Sequence, residues 1–474
     1  MKGHLAAAAS LLLLAAPARA ADSVKIGFVT TLSGPAGVIG KHMKDSADLA
    51  LAMLGGKIGG LPAEIVYGDD QFKPDVGRQV ADEMLKRDKV DFLTGFIWSN
   101  VLLAVYQPVI QSGTILISAN AGPHEIAGEK CAPNFFSASW QNDQTPEAMG
   151  KFMADRQMSD VYLIAPDYAA GRDMMSGFKR YFKGKLTAEV YTKFGQSDYQ
   201  VELSQIREAN PKAVFVFLPG GMGIQFVKQY AQSGLREKIP LYSAFTIDET
   251  TLPAIGDAAD GNYEVGFWSP DLDNPRNKEF IAKFRDKYHY LPAFYGAQSF
   301  DAIAMIDRAV AAVSGDLSKK DAMIAALAKA DFPSVRGKFK YNTNHFPIEN
   351  FYLLRIAKDS DGTFVRKIQK TVFADHVERA MRQVDHIHDA EDQGQASRHQ
   401  EQHDPELRPV QHLLDEVDHG AVATGDQLNV VVPAKAGTHR SATRRFRIWH
   451  DRRSHPKTAG SCGTADPGLR RDDD

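Results

Sequence analysis

Val24-Lys25-Ile26-Gly27-Phe28-Val29-Thr30-Thr31-Leu32-Ser33-Gly34-Pro35 is the stretch on which the fold turns. Its first seven residues are mainly apolar and β-branched, as in a strand buried on both faces, and Ser33-Gly34-Pro35 then makes a turn into a helical pattern. Further strands are predicted at Ala63 to Tyr67, Phe92 to Gly95, Ile115 to Ser118, Val161 to Ile164, Glu189 to Lys193, Ala213 to Leu218, Pro240 to Ser243 and Tyr263 to Phe267. Helical periods lie between them, at Val76 to Lys86, Arg172 to Phe182, Gln200 to Ala209 and Met222 to Gln232. Such alternation belongs to the α/β class, a parallel sheet with covering helices. The wholly apolar Ala213 to Leu218 reads as sheet core rather than as a site. The series that starts at Val24 starts again at Val161, so two similar lobes are predicted rather than one large sheet, as core-size limits favour for roughly 350 residues. Helical patterns at Asn277 to Tyr288, Ala297 to Val313 and Lys319 to Ala330 follow, then strands at Val335 to Tyr341 and Phe351 to Ile356.

The two ends differ from this body. Met1 to Ala20 carries Lys2, an apolar run from Leu5 to Ala16 and the small-residue exit Ala18-Arg19-Ala20, the pattern of a cleaved signal peptide. A mature, soluble, periplasmic protein starting near Ala21 is expected; the cysteine of a lipid-anchored leader is missing at the cleavage point. Beyond Asp375 the hydrophobic period is lost and ten of the 15 histidines occur. Low apolar content with mixed charge cannot repay ordering entropy, so residues 376–474 are predicted to be a disordered tail. The abrupt break in composition suggests a frameshift or read-through.

Composition excludes several classes. The 474 residues are 43% hydrophobic and 24% charged, ordinary for a soluble globular chain with room for two cores. A formal net charge of −3 lacks the basic signature of a nucleic-acid binder. After the leader no apolar run approaches the roughly 18 to 20 residues that span a bilayer. Cys131 and Cys462 make a poor disulfide framework and have no zinc-ligand spacing, so Cys131 is expected as a packed thiol. The tail histidines are irregularly spaced, and no metal is predicted. No GxSxG, HExxH, P-loop or paired CxxC occurs, and His124, His289 and His345 have no partners at catalytic spacing, so no enzyme is predicted. Gly34, Gly37 and Gly40 before Asp69-Asp70 have a superficial likeness to a dinucleotide fold, but the spacing is GxxGxxG and an exported chain leaves the nucleotide pool. They read as a tight turn that allows close packing, and no cofactor is predicted.

In open α/β sheets, ligands collect at the carboxyl ends of strands, where helix N-termini and loop amides point. Phe96-Ile97-Trp98-Ser99-Asn100 follows one predicted strand and Ala119-Asn120-Ala121-Gly122-Pro123 the next. The Ser99 hydroxyl and free amides there make a seat for a carboxylate, and Trp98 gives an apolar face; the competing reading makes these residues N-caps with Trp98 packed. In the second lobe Ala165-Pro166-Asp167-Tyr168-Ala169-Ala170-Gly171 occupies the matching loop, with Tyr168 as a clamp.

At these residues the chain resembles the branched-chain amino acid type of periplasmic solute-binding protein, the class that feeds ABC importers. The resemblance rests on Thr31-Leu32-Ser33-Gly34-Pro35, Tyr67-Gly68-Asp69-Asp70, Gly95 to Asn100, Ile115-Leu116-Ile117-Ser118 and Tyr168-Ala169-Ala170-Gly171, and covers about Val24 to Ala374. It implies the type I fold: two Rossmann-like lobes with parallel sheets, joined by three hinge crossovers near Asn142, Asp271 and Phe346. Lobe 1 would be 21–142 and 272–346, lobe 2 143–271 and 347–375. It also implies a monomer that traps a small-molecule ligand by closure and delivers it to an inner-membrane permease.

Departures from the amino acid binders narrow the ligand. Ser99 matches the serine that holds the ligand carboxylate in that family. Gly122 stands where a hydroxyl-bearing residue is usual, and Phe245, in Ser243-Ala244-Phe245-Thr246, takes the place of the acid that pairs with the α-ammonium. A buried ammonium without a partner costs several kcal/mol. A carboxylate without an amine is therefore expected, aromatic acid ahead of aliphatic acid and both ahead of branched-chain amino acid, with Trp98, Ser99, Asn100, Ala119, Asn120, Ala121, Gly122, Tyr168 and Phe245 as the binding residues. Two other classes compete: a soluble sensing module that signals to a receptor, and an exported hydrolase.

Overall fold

The Val24 stretch forms β1 (Val24–Thr30), an inner strand of a six-stranded sheet. The computed structural model describes residues 22–376, so the predicted signal peptide, and the predicted tail apart from His376, lie outside the described residues. The first sheet also holds β2 (Lys57–Ile58), β3 (Leu61–Asp69), β4 (Phe92–Gly95), β5 (Ile115–Ser118) and β6 (Phe135–Ser137), in the order β2-β3-β1-β4-β5-β6. Only the short β2 runs antiparallel. The second sheet holds β7 (Val161–Pro166), β8 (Leu186–Thr192), β9 (Ala213–Val216), β10 (Leu241–Ala244), β11 (Tyr263–Gly266), β12 (Glu349–Lys358) and β13 (Phe364–His376). Its order is β13-β12-β11-β10-β9-β7-β8, parallel from β8 to β11 and antiparallel through β12 and β13. The predicted two-sheet α/β architecture is thus the observed one.

The repeat read from Val24 and Val161 has a topological meaning. From β1 the chain goes to β3 on one side and then to β4 on the other; from β7 it goes to β8 and then to β9. Each sheet therefore has a switch point at which successive loops part and leave a crevice. The glycine turn serves packing, as expected: a Cβ on Gly40 would lie 1.8 Å from the Thr31 carbonyl oxygen, so the helix Gly37–Met53 sits directly against the end of β1.

The chain passes between the sheets three times: between β6 and β7, from β11 to the helices Pro275–Tyr288 and Phe294–Ala312, and back to β12. Arg336 ties the first and third passages together. Its buried guanidinium donates to the carbonyls of Ala138 (2.6 Å) and Ser139 (3.0 Å) and pairs with Asp301 (3.1 Å) and Glu349 (2.8 Å).

Several expectations need correction. Val335 to Tyr341 is not a strand; Gly337, at φ 91°, turns the chain, and only the bridges Ser334↔Gly337 and Tyr341↔Pro347 form. The alternation there reflects Arg336 reaching inward, not a sheet face. β13 has no clear hydrophobic alternation to read: it is a half-exposed edge whose Lys367, Gln369 and Lys370 are the usual protection of an edge strand, while Arg366 turns inward. His376, assigned by composition to the tail, ends that strand buried, its ring 4.0 Å from Phe373 and paired with Glu147. Cys131 is disulfide-bonded rather than a packed thiol.

Candidate functional site

The loops at the two switch points face each other across a cleft of about 300 Å³ of empty space, part of it open to solvent. Ile97, Trp98 and Ser99 reach it after β4, Asn120 and Ala121 after β5, and Trp140 and Asn142 from the first passage. From the second sheet come Tyr168, Ala170 and Met174 after β7, Phe217 and Pro219 after β9, and Phe245 after β10; Tyr295 enters from the helix Phe294–Ala312. Among the predicted residues, Trp98, Ser99, Asn120, Ala121, Tyr168 and Phe245 are brought together here. Asn100, Ala119 and Gly122 do not line the cleft. Asn100 is one step round the helix Ser99–Gln111 from Ser99, and Ala119 fastens β5 to β4 through its amide, 2.9 Å from Gly95 O. At Gly122 a Cβ would meet Trp140 O at 2.0 Å, which leaves no room for any side chain, hydroxyl-bearing or otherwise.

The expected seat on the amides of Ala119 to Gly122 is also corrected. Ala119 donates to Gly95 O, Ala121 to Phe96 O (2.9 Å) and Gly122 to Asn142 Oδ1 (3.3 Å), so three of the four amides satisfy the loop itself and the expected seat shrinks to the Asn120 amide. Further donors come from elsewhere. The helices Ser99–Gln111, Ala169–Tyr181 and Gly221–Gln232 all start at the cleft, and no side chain caps the first turn of any of them. Their open amides and dipoles favour an anion. Ser99 is the first residue of its helix rather than the N-cap, which is Trp98. Its hydroxyl accepts from Asn142 Nδ2 at 3.0 Å. Trp140 Nε1 is buried with no hydrogen-bond partner among the described residues. By contrast Trp98 Nε1 donates to Thr31 Oγ1 at 2.8 Å, so Trp98 presents only its ring.

Aromatic rings supply the walls. Trp140 stacks on Phe245 with centroids 4.5 Å apart and planes at 25°. Phe245 holds this position at φ 53°, a left-handed conformation unusual for a bulky residue and often found at ligand sites. Beside Trp98, Phe72 from the first side stacks on Phe194 from the second at 4.2 Å, and Trp98 meets both rings edge-on. Burial pushes the Tyr168 phenol well above its ordinary range, so it stays neutral.

Among the described residues no acid lines the cleft. Those of the second sheet are held apart from it in a buried cluster: Arg366 pairs with Glu249 (2.7 Å) and Glu264 (3.2 Å), and Glu264 also accepts from Ser243 and the Ile247 amide. Burial raises Glu264, and raises Asp248 to about 6. On the other side of the cleft, His124 pairs through Nδ1 with Asp173, and this hydrogen bond lifts the imidazole to about 9 against the opposing effect of burial.

Trp140 and Asn142 are within reach of the sequence, since they lie at the first crossover expected near Asn142. Phe217 and Tyr295 were not: one continues an apolar strand run, the other opens an apolar helix, and neither differs locally from core.

Two α/β sheets with a ring-walled, donor-lined crevice between their switch points define a ligand-trapping protein, and the chain belongs to the periplasmic binding protein family, whose model matches residues 23–363. It is of the type I, branched-chain amino acid sort. It is 29% identical to Leu/Ile/Val-binding protein homolog 6 of Brucella melitensis over 381 residues, 77% of this chain and 96% of that protein. Among solved structures it is similar to an ABC transporter solute-binding protein of R. palustris in complex with benzoate, with 31% identity and a TM-score of 0.72 over 76% of this chain and 99% of that one. A solute-binding protein of Rhodopseudomonas palustris BisB5 in complex with 3,4-dihydroxy benzoic acid is similar at 26% identity and a TM-score of 0.71, over 75% and 99%.

Proposed function

We propose that the protein is the periplasmic substrate-binding component of an ABC importer and that it carries a small aromatic carboxylate to a membrane permease. The observation that carries this reading is the polarity of the cleft: hydrogen-bond donors lacking acceptors, between aromatic walls, with no acid. A carboxylate satisfies such donors, whereas an ammonium finds no charged partner in the lining. The complexes of the similar proteins with benzoate and 3,4-dihydroxy benzoic acid support the ligand class.

In this reading Trp98, Ser99, Asn120, Ala121, Tyr168 and Phe245 contact the ligand together with Trp140, and the bond-making is only non-covalent. Lobe 1 is 21–142 and 272–346, and lobe 2 is 143–271 and 347–375. The lobes close about the three passages because the ligand bridges both, and a monomer in the periplasm, exported by its leader, then docks on the permease. Calorimetric titration tests the ligand class. Benzoate or a hydroxybenzoate is expected to bind and leucine not; binding of leucine or valine with no response to any benzoate would overturn it.

A further inference from the structure

Asp173 lies on the helix Ala169–Tyr181 beside β7, is 5% exposed, and does not line the cleft. Its Oδ2 accepts from Asn142 Nδ2 at 2.8 Å and from the His124 amide at 3.3 Å, while Oδ1 pairs with His124 Nδ1. The same Asn142 amide nitrogen donates its other hydrogen to Ser99 Oγ at 3.0 Å, and Asn142 Oδ1 receives the Gly122 N–H at 3.3 Å. A backbone N–H only donates and an ionised carboxylate only accepts, so the Asn142 side chain has one permitted orientation, nitrogen toward Asp173 and oxygen toward Gly122. Ser99 Oγ must then accept from Asn142. Its own proton has no acceptor among the described residues, and Ser99 lines the cleft.

We propose that Asp173 is a positioning residue for ligand selection: by fixing the Asn142 amide it obliges the Ser99 hydroxyl to donate into the cleft, which favours a carboxylate over a neutral group at that point. The inference deepens the carboxylate reading and rests on it. It adds a role for closure. Ser99, Gly122 and Asn142 belong to the first-sheet side and Asp173 to the second, so the open half-site keeps only the Gly122 restraint on Asn142 and the Asp173 restraint is added when the two sides meet.

The test compares benzoate with its neutral analogue benzamide by calorimetry, in the wild type, Asp173→Asn, Ser99→Ala and the double variant. An asparagine at 173 can offer either an oxygen or an N–H, which leaves Asn142 held only by the long 3.3 Å bond from the Gly122 N–H and loosens the demand that Ser99 turn its proton to the cleft. The ratio of benzoate to benzamide affinity is expected to fall by about tenfold or more in Asp173→Asn, the size of one charge-assisted hydrogen bond. In the Ser99→Ala background the same change should move the ratio less than about twofold, because the relay has no end. Asp173→Glu, still an acceptor only, should keep the ratio even where both affinities shift. An unchanged ratio in Asp173→Asn, or an equal fall with and without Ser99, overturns the proposal. If Asp173→Asn does not fold, Asn142→Ala takes its place: it removes the donor to Ser99 and should collapse the same ratio, and a retained ratio counts against the relay. Wild-type protein that binds benzoate while these ratios stay fixed refutes only the relay, whereas wild-type protein that binds neither ligand refutes the aromatic-acid reading and this inference with it.

Discussion

Replacing Trp140 by Phe isolates one donor of the cleft. The indole stacks on Phe245 at 4.5 Å and is followed by Phe267 at 5.3 Å and Phe294 at 5.9 Å, so a phenyl ring at 140 keeps most of this aromatic contact. It loses Nε1, a buried N–H that has no partner among the described residues. In the free protein that N–H is a liability of about 1–3 kcal/mol, and its removal offsets part of the packing lost with the smaller ring. The apo protein should therefore unfold at nearly the wild-type temperature. With a carboxylate bound, the N–H acquires an ionised acceptor, an interaction of about 1.5–3 kcal/mol. At about 1.4 kcal/mol per factor of ten, Trp140→Phe should weaken benzoate binding roughly ten- to a hundredfold. Calorimetric titration with benzoate, run beside thermal unfolding of the ligand-free protein, measures both quantities. A benzoate affinity within about twofold of wild type would mean that the indole N–H does not meet the ligand, and the reasoning from unpaired donors would fail.

Other groups make separate claims. His42 is buried, accepts from the Ala293 amide at 3.1 Å, and burial holds its pKa down to about 3 from an ordinary 6.5. The stability tied to its neutral form is complete above pH 6.5 and is lost as pH falls from there toward 3, so His42→Gln should flatten the acid limb of a denaturation-versus-pH series; an identical limb would refute this. Arg366→Met leaves Glu249 and Glu264 without their buried cation and should lower the unfolding free energy by about 3–5 kcal/mol at pH 8. Chemical denaturation should find a smaller loss at pH 5, where Glu264 and Asp248, both raised by burial, take up protons; equal losses would contradict the cluster's assignment. Phe194→Ala removes the ring that stacks on Phe72 from the opposite side, a contact of about 0.5–1.5 kcal/mol, and stopped-flow release of benzoate should quicken about two- to tenfold. Unchanged release would exclude that stack from the closed state.

What the sequence revealed follows from which signals are local. The strands Phe92–Gly95 and Ile115–Ser118 and the helix Gln200–Ala209 are bounded by their own turn residues, and they lie where the pattern puts them. β2 and β6, of two and three residues, are too short for any period to register; they exist because a neighbour strand offers hydrogen bonds. The site divides in the same way. Ser99 and Tyr168 follow strands directly and are found from strand-to-helix grammar. Tyr295 lies far along the chain from either loop, and only the packing of its helix against Gly37–Met53 brings it to the cleft. The expectation of free amides at Ala119 to Gly122 fails at Ala119, Ala121 and Gly122 because a loop's donors can be consumed by neighbouring loops, here by Gly95 O, Phe96 O and Asn142. Asp173 was invisible as a site residue: in sequence it is one acid in an ordinary amphipathic helix, and only the fold sets it against Asn142 and His124.

The two features of the cleft discriminate with different force, and this orders its ligands. Stacking between a ligand ring and walls such as Trp140 and Phe245 adds about 0.5–1.5 kcal/mol beyond the area buried, so an aromatic acid should outbind its saturated analogue by about tenfold at most from this source. An ammonium meets a heavier penalty, because it enters a space lined by donors and helix N-termini, and the nearby acids lie outside that lining, bonded to Arg366 or to local hydroxyls and amides, with Asp248 keeping only its buried Oδ2 without a partner among the described residues. Unpaired, it forfeits several kcal/mol, or more than a hundredfold. Calorimetry should therefore rank benzoate first, cyclohexanecarboxylate within about tenfold of it, and phenylalanine far below both although it carries a ring. Phenylalanine above cyclohexanecarboxylate would mean that ring recognition outweighs charge, which would require an acceptor for the ammonium that this cleft does not present.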